Sequence, residues 1–553
     1  MNKNKDKNKT DWEKESTSKT TGKPICESTC KPISEIVCES DSVFKPKTFQ
    51  IWTLGCKVNQ YESEQIRQAL CDLGFISPTD LQSRKELRDH SERNYSGAQQ
   101  DFVTENQGNR ESLECRKGGE KTKSSLTWVI VNTCAVTQES EAKSRKLIRQ
   151  MIKRYQPEKV LVFGCSAEHD TEQYSTILGV THVVTGEKHG GNRVAAVLEA
   201  ILKTQGMQET LGAQSTLGTR GTQEVLETQE ARDLEVKVET CRKSLAGGLR
   251  RFGERHRAYV KVQDGCRQFC TYCLIPHLRH ELTSVPVEEV RTEIRSLLHH
   301  GYKEIVITGI HLGYYGLNIR SRTQNIWTIE DRTQPRQSNL TELMNVLAHP
   351  ERFGEEWPEY RLRISSLEAH EAGDDLLQIM AENRSRICPH LHLSMQSGSP
   401  TVHRRMNRPG TVEQYVERCL SARKILDNPA ITTDIIVGFP GETEKEFLET
   451  CDVVRQVGFS KIHIFPFSAR PGTPAAEMGN WVPTEEKHRR ELYLTEIERE
   501  MHEKYVQSLA GRKMQFLAER FHPETEKLTG TSEYYIQAEF PGKKEMVGTF
   551  VEY

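Results

Sequence analysis

The densest group of chemistry-bearing residues is the stretch Asp264-Gly-Cys-Arg-Gln-Phe-Cys-Thr-Tyr-Cys-Leu-Ile-Pro276, with Cys266, Cys270 and Cys273 in a C-x3-C-x2-C array. Three thiolates in so short a loop can converge on one soft metal centre. Zinc sites usually pair C-x2-4-C with a second Cys or His pair further on, and no fourth ligand at that spacing lies nearby. Three cysteines without a fourth suit an iron–sulfur cluster with one iron left open for another ligand.

A second set of three cysteines is dispersed along the chain. The β-type run from Thr48 to Leu54 ends at Gly55-Cys56, the run Trp128–Thr133 at Cys134, and the run Lys159–Gly164 at Cys165. A helical stripe follows each of the first two, with Ile66, Ala69, Leu70 and Leu73, then Ala142, Leu147, Ile148 and Ile152. In a parallel α/β sheet the C-terminal strand ends share one edge, where ligands bind. Cys56, Cys134 and Cys165 are thus expected to meet, despite separations of 78 and 31 residues. Three unrelated buried cysteines are the plainer alternative; the repeated strand–Cys–turn context favours a ligand set.

The elements that must position these residues follow from the rest of the chain. At 553 residues there is room for about three or four domains. A net charge of −2 with 28% charged residues gives no global field for or against nucleic acid. Residues 1–47 are poor in large apolar groups and are expected to form a disordered tail. Cys26, Cys30 and Cys38 lie there as free cysteines. Residues 48–204 read as the first α/β domain, with a polar insertion near 80–125, and 205–250 as a polar linker. Cys115 and Cys241, inside those polar segments, read as incidental. Residues 251–483 alternate strands and helices through six βα units, which predicts a partial (β/α)6 barrel with its site at the C-terminal strand ends. Another polar insertion covers 318–340. Residues 484–553 read as a charged helix followed by a β-barrel or sandwich of about five short strands. With 11 Lys and Arg against 12 Asp and Glu from Lys487 onward, charge does not mark that part as RNA-binding. No apolar run approaches membrane-spanning length, and the basic start lacks the apolar core of a secretory signal. Fifteen cysteines in such a chain read as reduced thiols in a cytoplasmic setting, not as a disulfide framework.

Several blocks together resemble the radical S-adenosylmethionine (SAM) methylthiotransferases. They are Asp264-Gly-Cys with Ile275-Pro276, Thr308-Gly-Ile-His-Leu-Gly, Met395-Gln-Ser-Gly-Ser, Asp434-Ile-Ile-Val-Gly-Phe-Pro-Gly-Glu-Thr and Phe467-Ser-Ala-Arg-Pro-Gly-Thr-Pro-Ala. Around the first strand-end cysteine, Thr53-Leu-Gly-Cys-Lys-Val-Asn-Gln-Tyr-Glu-Ser-Glu64 resembles the MtaB type. Near the end, Gly530-Thr-Ser-Glu-Tyr-Tyr-Ile resembles a TRAM domain weakly. The resemblance departs at His280, where the family commonly has glycine, so a differently shaped loop is expected after the cysteine array.

What the resemblance implies is specific. Cys266, Cys270 and Cys273 would hold one [4Fe–4S] cluster that binds and reductively cleaves SAM. Cys56, Cys134 and Cys165 would hold a second cluster at the site of sulfur delivery. The implied reaction places a methylthio group on C2 of N6-threonylcarbamoyladenosine beside the tRNA anticodon, with SAM as both methyl donor and radical source. The anticodon stem-loop of tRNA and an electron donor protein are the implied partners, with no membrane. Implied SAM contacts are Tyr272, Gly309, Gln396, Gly398 and Asp434, against core packing for the tyrosine and turn roles for the glycines. Arg279, Arg408 and Arg470 could bind phosphate or carboxylate, or form structural ion pairs. His311, His390, His392 and His463 could line the mouth or be satisfied core histidines. Tyr534 and Tyr535 could stack on an RNA base or pack in a strand. The alternatives are another modified adenosine, a ribosomal protein substrate, or a non-catalytic RNA-binding protein whose cysteines hold zinc.

Overall fold

The strand that anchors the N-terminal part, β2 (Trp128–Thr133), is buried along all six residues. That is the signature of a central strand covered on both faces. The computed structural model describes residues 47–77, 126–214, 232, 236–253, 255–318 and 339–553. The expected tail and the insertions near 80–125 and 318–340 lie outside these residues or almost wholly so.

β1 (Phe49–Thr53), β2, β3 (Lys159–Gly164) and β4 (His182–Val183) form a parallel sheet in sequential order. Helix α1 (Lys57–Asp72) buries Val58, Tyr61, Ile66, Ala69 and Leu70 and stops before Gly74, whose φ is +84°. Helix α2 (Gln138–Tyr155) starts where the Thr137 side chain accepts from the Ser140 N–H, with Glu139 and Glu141 in its first turn. The turn α3 (Cys165–His169) and the helix α4 (Arg193–Gln214) follow β3 and β4.

Residues 205–250 are not simply a linker. α4 runs on to Gln214, and residues 236–246 form a further helix, α5. Cys241 and Leu245 of α5 are buried against the core made by α1, α4 and the first sheet. Val238, Cys241 and Leu245 form a narrow apolar stripe at helical spacing in an otherwise charged run. Cys241 is therefore a core residue.

The barrel strands are β5 (Arg257–Asp264), β7 (Glu304–Gly309), β8 (Arg361–Ile364), β9 (Ser366–Leu367), β10 (His390–Leu393), β11 (Ala430–Val437) and β12 (Lys461–Pro466). They pair in parallel as β5-β7-β8 and β9-β10-β11-β12, and a bridge from Leu362 to Ile387 joins the halves. The short β6 (Thr283–Ser284) pairs antiparallel to β5 at the edge. Among the described residues β5 and β12 do not pair, so the barrel is partial, as expected. Helices α6 (Val287–His299), α7 (Leu340–Ala348), α8 (Asp374–Glu382), α9 (Val412–Ile425) and α10 (Glu444–Val457) cover its outside.

The expected boundary at 484 falls inside the barrel's own packing. α11 (Thr484–Ser508) buries Leu494, Ile497 and Met501 in the same core as the barrel strands, so its apolar stripe belongs to the barrel. Beyond it, β13 (Gln515–His522), β14 (Lys527–Ser532), β15 (Gln537–Pro541) and β16 (Phe550–Glu552) form one antiparallel sheet of order β15-β14-β13-β16. That is four strands, not about five. β14 was not anticipated because its sequence, Lys-Leu-Thr-Gly-Thr-Ser, carries a single large apolar residue. The sequence pattern suggests a strand over Glu533–Phe540; its second half is β15, while Glu533–Tyr535 form the turn before it, with Tyr535 at φ +61°.

This small sheet is fixed to the barrel by two arginines of β8. Arg361 donates to the Gln515 and Thr531 carbonyls, and Arg363 to those of Ser532 and Glu533. Both guanidiniums also bind the buried Glu304 of β7. Burial alone would raise Glu304, but the two arginines hold it down at about 2. Its folded pKa lies below the ordinary carboxylate value, so its stabilising contribution is full above about 4.5 and drains as pH falls toward 2. Glu304→Gln leaves two buried guanidiniums without a counter-charge. It is expected to cost about 3–5 kcal/mol in urea unfolding at neutral pH, with a smaller difference from wild type at pH 3.

Candidate functional site

The strand ends bring the dispersed cysteines together. Cys56 caps α1, Cys134 follows β2 and Cys165 opens α3. Gly164 makes the last of these turns possible: its φ is +99°, and a Cβ there would lie 2.3 Å from Asn132 Oδ1 and 2.6 Å from the Thr133 carbonyl. Asn59 ties two of the loops, donating to the Leu54 carbonyl at 3.0 Å and the Thr133 carbonyl at 3.1 Å. Thr133 ties the third by donating to the Phe163 carbonyl at 2.7 Å and accepting from the Ala167 N–H at 3.0 Å. The Cys56 and Cys134 thiols both lie in the field of Cys165. Burial pushes the Cys134 thiol up to about 11, so loading a metal here releases protons.

The second array is built by its own loop. Gly265, at φ +85°, passes so close to the return strand that a Cβ would lie 2.1 Å from the Glu281 carbonyl. The Cys266 N–H donates to the Arg279 carbonyl at 3.0 Å, which closes the loop on itself. Thr271 exchanges backbone hydrogen bonds with Met406 and Ala475, which anchors the loop to segments beyond β10 and β12. Two of the sulfurs have donors: the Gln268 N–H donates to Cys266 Sγ at 3.4 Å, and Arg408 donates to Cys270 Sγ at 3.6 Å. Arg408 is itself held by Glu368 at 2.5 Å and the Ser394 carbonyl at 2.7 Å. His311 Nδ1 lies 3.5 Å from Cys266 Sγ, and its Nε2 lies 2.5 Å from Glu371. Burial would depress His311; its bonds to Cys266 and Glu371 override that and lift it to about 10.

The spread of the thiols separates a cluster from a single ion. Tetrahedral zinc, with Zn–S near 2.3 Å, needs its sulfurs about 3.8 Å apart. Among the described residues only His392, Asp434 and His463 have three ligand atoms within 4.8 Å of one another; neither cysteine triad does. Thiols this widely set fit the larger body of a four-iron cluster better than one ion. The cysteines among the described residues are all free thiols.

A buried arginine couples the two triads. Arg279, at the end of the loop that carries Cys266–Cys273, donates to Glu62 of α1 at 2.8 and 2.9 Å. It also donates to both carboxylate oxygens of Asp264, at the end of β5, at 2.9 Å. Lys261 bonds both acids, at 3.3 Å to Glu62 and 2.8 Å to Asp264. Burial works against ionisation of Glu62 and Asp264, yet the cations around them hold both well below the usual carboxylate range. Arg193 of α4 adds a second tie, to Glu168 and to the Leu278 carbonyl. Across the mouth, Arg470 reaches Glu141 of α2, and Gln138 donates to the Ala469 carbonyl at 2.9 Å. Arg279, Arg408 and Arg470, candidates for phosphate or carboxylate binding, thus each make buried ion pairs inside the protein.

Comparison with known proteins accords with this geometry. The Radical SAM superfamily profile matches residues 260–454, and the profile described as Uncharacterized protein family UPF0004 matches residues 113–186. The threonylcarbamoyladenosine tRNA methylthiotransferase MtaB of Thermotoga maritima is 32% identical over 507 residues, 91% of this chain and 93% of the relative. The chain belongs to the MtaB-type radical SAM methylthiotransferases. The MtaB of Bacillus subtilis is 29% identical over 91% of this chain and 93% of its own length. A tRNA-2-methylthio-N(6)-dimethylallyladenosine synthase of Carboxydothermus hydrogenoformans is 27% identical over 92% and 96%.

Radical SAM methylthiotransferases use SAM and two [4Fe–4S] clusters, and the two wide thiol sets, supported by N–H and guanidinium donors, suit that pair. The remaining expected contacts of this methylthiotransferase divide. Gln396 and Gly309 lie at strand ends: Gln396 adopts φ +69° and its N–H donates to the Asp434 carbonyl at 2.9 Å. A Cβ at Gly309 would lie 2.9 Å from Gln263 Oε1, so Gly309 lets that side chain reach the His311 N–H at 2.8 Å. Tyr272 packs against the cluster of Val402, Met406, Phe439 and Phe467 while its hydroxyl bonds Cys270. Gly398 serves packing: its N–H donates to Thr450 at 3.1 Å, and a Cβ would lie 2.8 Å from Thr450 Cα of α10. Asp434 points into the barrel lumen, where His392 Nε2 lies 3.2 Å from its carboxylate. His390 is stacked on Tyr535 at 4.3 Å, and Arg363 lies over the same tyrosine ring, so that ring is committed within the protein. His280, the departure from the family pattern, is exposed and leaves the Arg279 contacts in place.

Glu62, Asp264, Glu368 and Glu371 were not assigned roles from sequence. The signal was present in Asp264-Gly-Cys and Asn59-Gln-Tyr-Glu62, where an acid stands near each cysteine set; the Arg279 that pairs them is remote from Glu62 in sequence. Arg279→Met leaves the Glu62 and Asp264 carboxylates with Lys261 as their one remaining bonded cation. It is expected to lower stability by about 3–5 kcal/mol in urea unfolding and to expose the N-terminal sheet to limited proteolysis. Arg279→Lys, which keeps the charge but not the fork, is expected to fall between it and wild type.

Proposed function

We propose that this protein transfers a methylthio group to C2 of N6-threonylcarbamoyladenosine next to the tRNA anticodon. The observation that carries the reading is the buried Arg279, which ties the helix that starts after Cys56 to the loop of Cys266, Cys270 and Cys273, in a chain 32% identical to a tRNA methylthiotransferase over 91% of its length. Cys266, Cys270 and Cys273 are assigned to the SAM-binding cluster, and Cys56, Cys134 and Cys165 to the second. When bound, the clusters and SAM supply the radical that activates the adenine carbon and the methylthio group that replaces its hydrogen.

The chain's own residues do the rest. The Arg279 network fixes the separation of the two sites, so that radical generation and sulfur delivery act on one base. His311 with Glu371 and Arg408 with Glu368 put cationic donors against Cys266 and Cys270, which stabilises thiolate ligands and tunes the cluster they hold. Tyr272, Gly309 and Gln396 border the mouth where SAM would lie. The anticodon stem-loop is the proposed substrate element, and an electron donor protein supplies the reducing electron. A cytoplasmic location follows from tRNA as substrate; no helix among the described residues is long and apolar enough to cross a membrane.

Anaerobic reconstitution is expected to give about eight irons per chain, four for each cluster. Cys270→Ser and Cys134→Ser are each expected to lose about half, and bound zinc in place of iron would overturn the assignment. Mass spectrometry of tRNA nucleosides from a strain lacking this protein is expected to show unmodified C2 on threonylcarbamoyladenosine, restored by the wild-type gene and by neither cysteine variant.

A further inference from the structure

Inside the partial barrel lies a cavity of about 330 Å3. The strands line it with Tyr259, Val306, Ser365, His392, Asp434 and His463, among others. The N-terminal sheet contributes one side chain to it, Lys57, the first residue of α1 and the immediate neighbour of Cys56. The cavity therefore reaches the N-terminal cysteine site at one wall.

The charges on its walls are unequal in how they are satisfied. Arg363 is bound to Glu304, and Arg257 donates to Glu519 at 2.8 Å. Asp434 has His392 beside it and His463 close by. Lys57 has no hydrogen-bonding or ion-pair partner among the described residues; of the opposite charges around it Asp434 acts on it most strongly, without an ion pair between them. Lys57 is half-buried on the cavity wall, so its ammonium is available to an anion held there.

The proposed substrate brings one. On adenine, C2 and C6 flank N1, so the N6 substituent leaves the ring on the same edge as C2. A base that presents C2 to the cysteine sites therefore brings its N6 substituent close to them, toward the wall formed by Lys57, the neighbour of Cys56. The threonylcarbamoyl group ends in a carboxylate and carries a hydroxyl and ureido N–H donors. The cavity offers an unpaired ammonium for the first and the Asp434 carboxylate as an acceptor for the others. A purely apolar N6 substituent would leave Lys57 unpaired in the same cavity, which gives discrimination by an unsatisfied charge and not by fit.

We infer that Lys57 is a specificity-determining residue that pairs with the carboxylate of the N6 substituent held in this cavity. The inference rests on the proposed substrate and deepens it. The test uses full-length reconstituted enzyme with two anticodon stem-loops, one bearing N6-threonylcarbamoyladenosine and one bearing its carboxamide. Wild type is expected to favour the acid by about 10- to 100-fold in kcat/KM, mostly through KM, as loss of one charge-assisted bond implies. Lys57→Gln is expected to lose that preference by falling on the acid while holding its rate on the carboxamide, with iron content unchanged; Lys57→Arg is expected to keep most of it.

Equal loss on both substrates would overturn the inference, because Lys57 would then act on something other than the carboxylate. The functional reading would survive that result, since wild type would still have modified the acid. If wild type acts on the acid without preferring it to the carboxamide, the inference also fails, even should Lys57→Gln not load its clusters. Failure of wild type to modify either RNA would instead remove the substrate assignment, and the inference with it.

Discussion

The structure turns on one buried guanidinium. Arg279 takes the carboxylates of Glu62 and Asp264 at once, and these three residues come from α1, from the end of β5 and from the loop that carries three cysteines. A buried charge triad has little net stabilising value when compared with apolar packing, because desolvation offsets its attraction. Its value is geometric. A planar fork with fixed donor directions admits one relative placement of two carboxylates, so the sheet that holds Cys56, Cys134 and Cys165 has one docking pose on the barrel. Apolar surface alone would allow sliding by a fraction of a turn, and two cofactors that must act on the same carbon do not tolerate it.

The same device recurs away from the mouth. Glu304 stands between Arg361 and Arg363, and the remaining guanidinium hydrogens cap carbonyls at the ends of β13 and β14. The small antiparallel sheet is thereby fixed to the barrel through its backbone as well as through side chains, with Ile536 packed beside Tyr505 and Leu509, and Glu519 accepting from Arg257. Near the cysteines, His311–Glu371 and Arg408–Glu368 repeat the pattern on a smaller scale, each a cation that an acid orients toward a sulfur. Against this background of paired charges, Lys57 stands out because it has no partner among the described residues.

Much of the site was legible before the fold was known. The C-x3-C-x2-C array is local, and the three strand-end cysteines could be joined because a parallel sheet puts all its C-terminal ends on one edge. The six barrel strands and most covering helices followed from period-two and period-3.6 patterning. Errors fell where that signal is thin. α5 has an apolar residue only once per turn, β14 holds a single large one, and α11 carries a long charged face that hides the stripe binding it to the barrel. Gly398 shows a different limit: a glycine beside a mouth motif reads as a ligand contact, but the closeness of α10 is what requires it.

By itself, then, the sequence determined the two sets of cysteines, the parallel α/β class and the family, because all three depend on residue types at short or periodic spacing. Tertiary structure alone decided how the two cysteine sites are held together, which arginines are committed to internal acids, and that Lys57 faces the barrel lumen with no partner among the described residues. Those depend on pairings across hundreds of residues (Glu62 to Arg279 spans 217, Glu141 to Arg470 spans 329). No local pattern encodes such a distance; it exists only once the sheet has docked on the barrel.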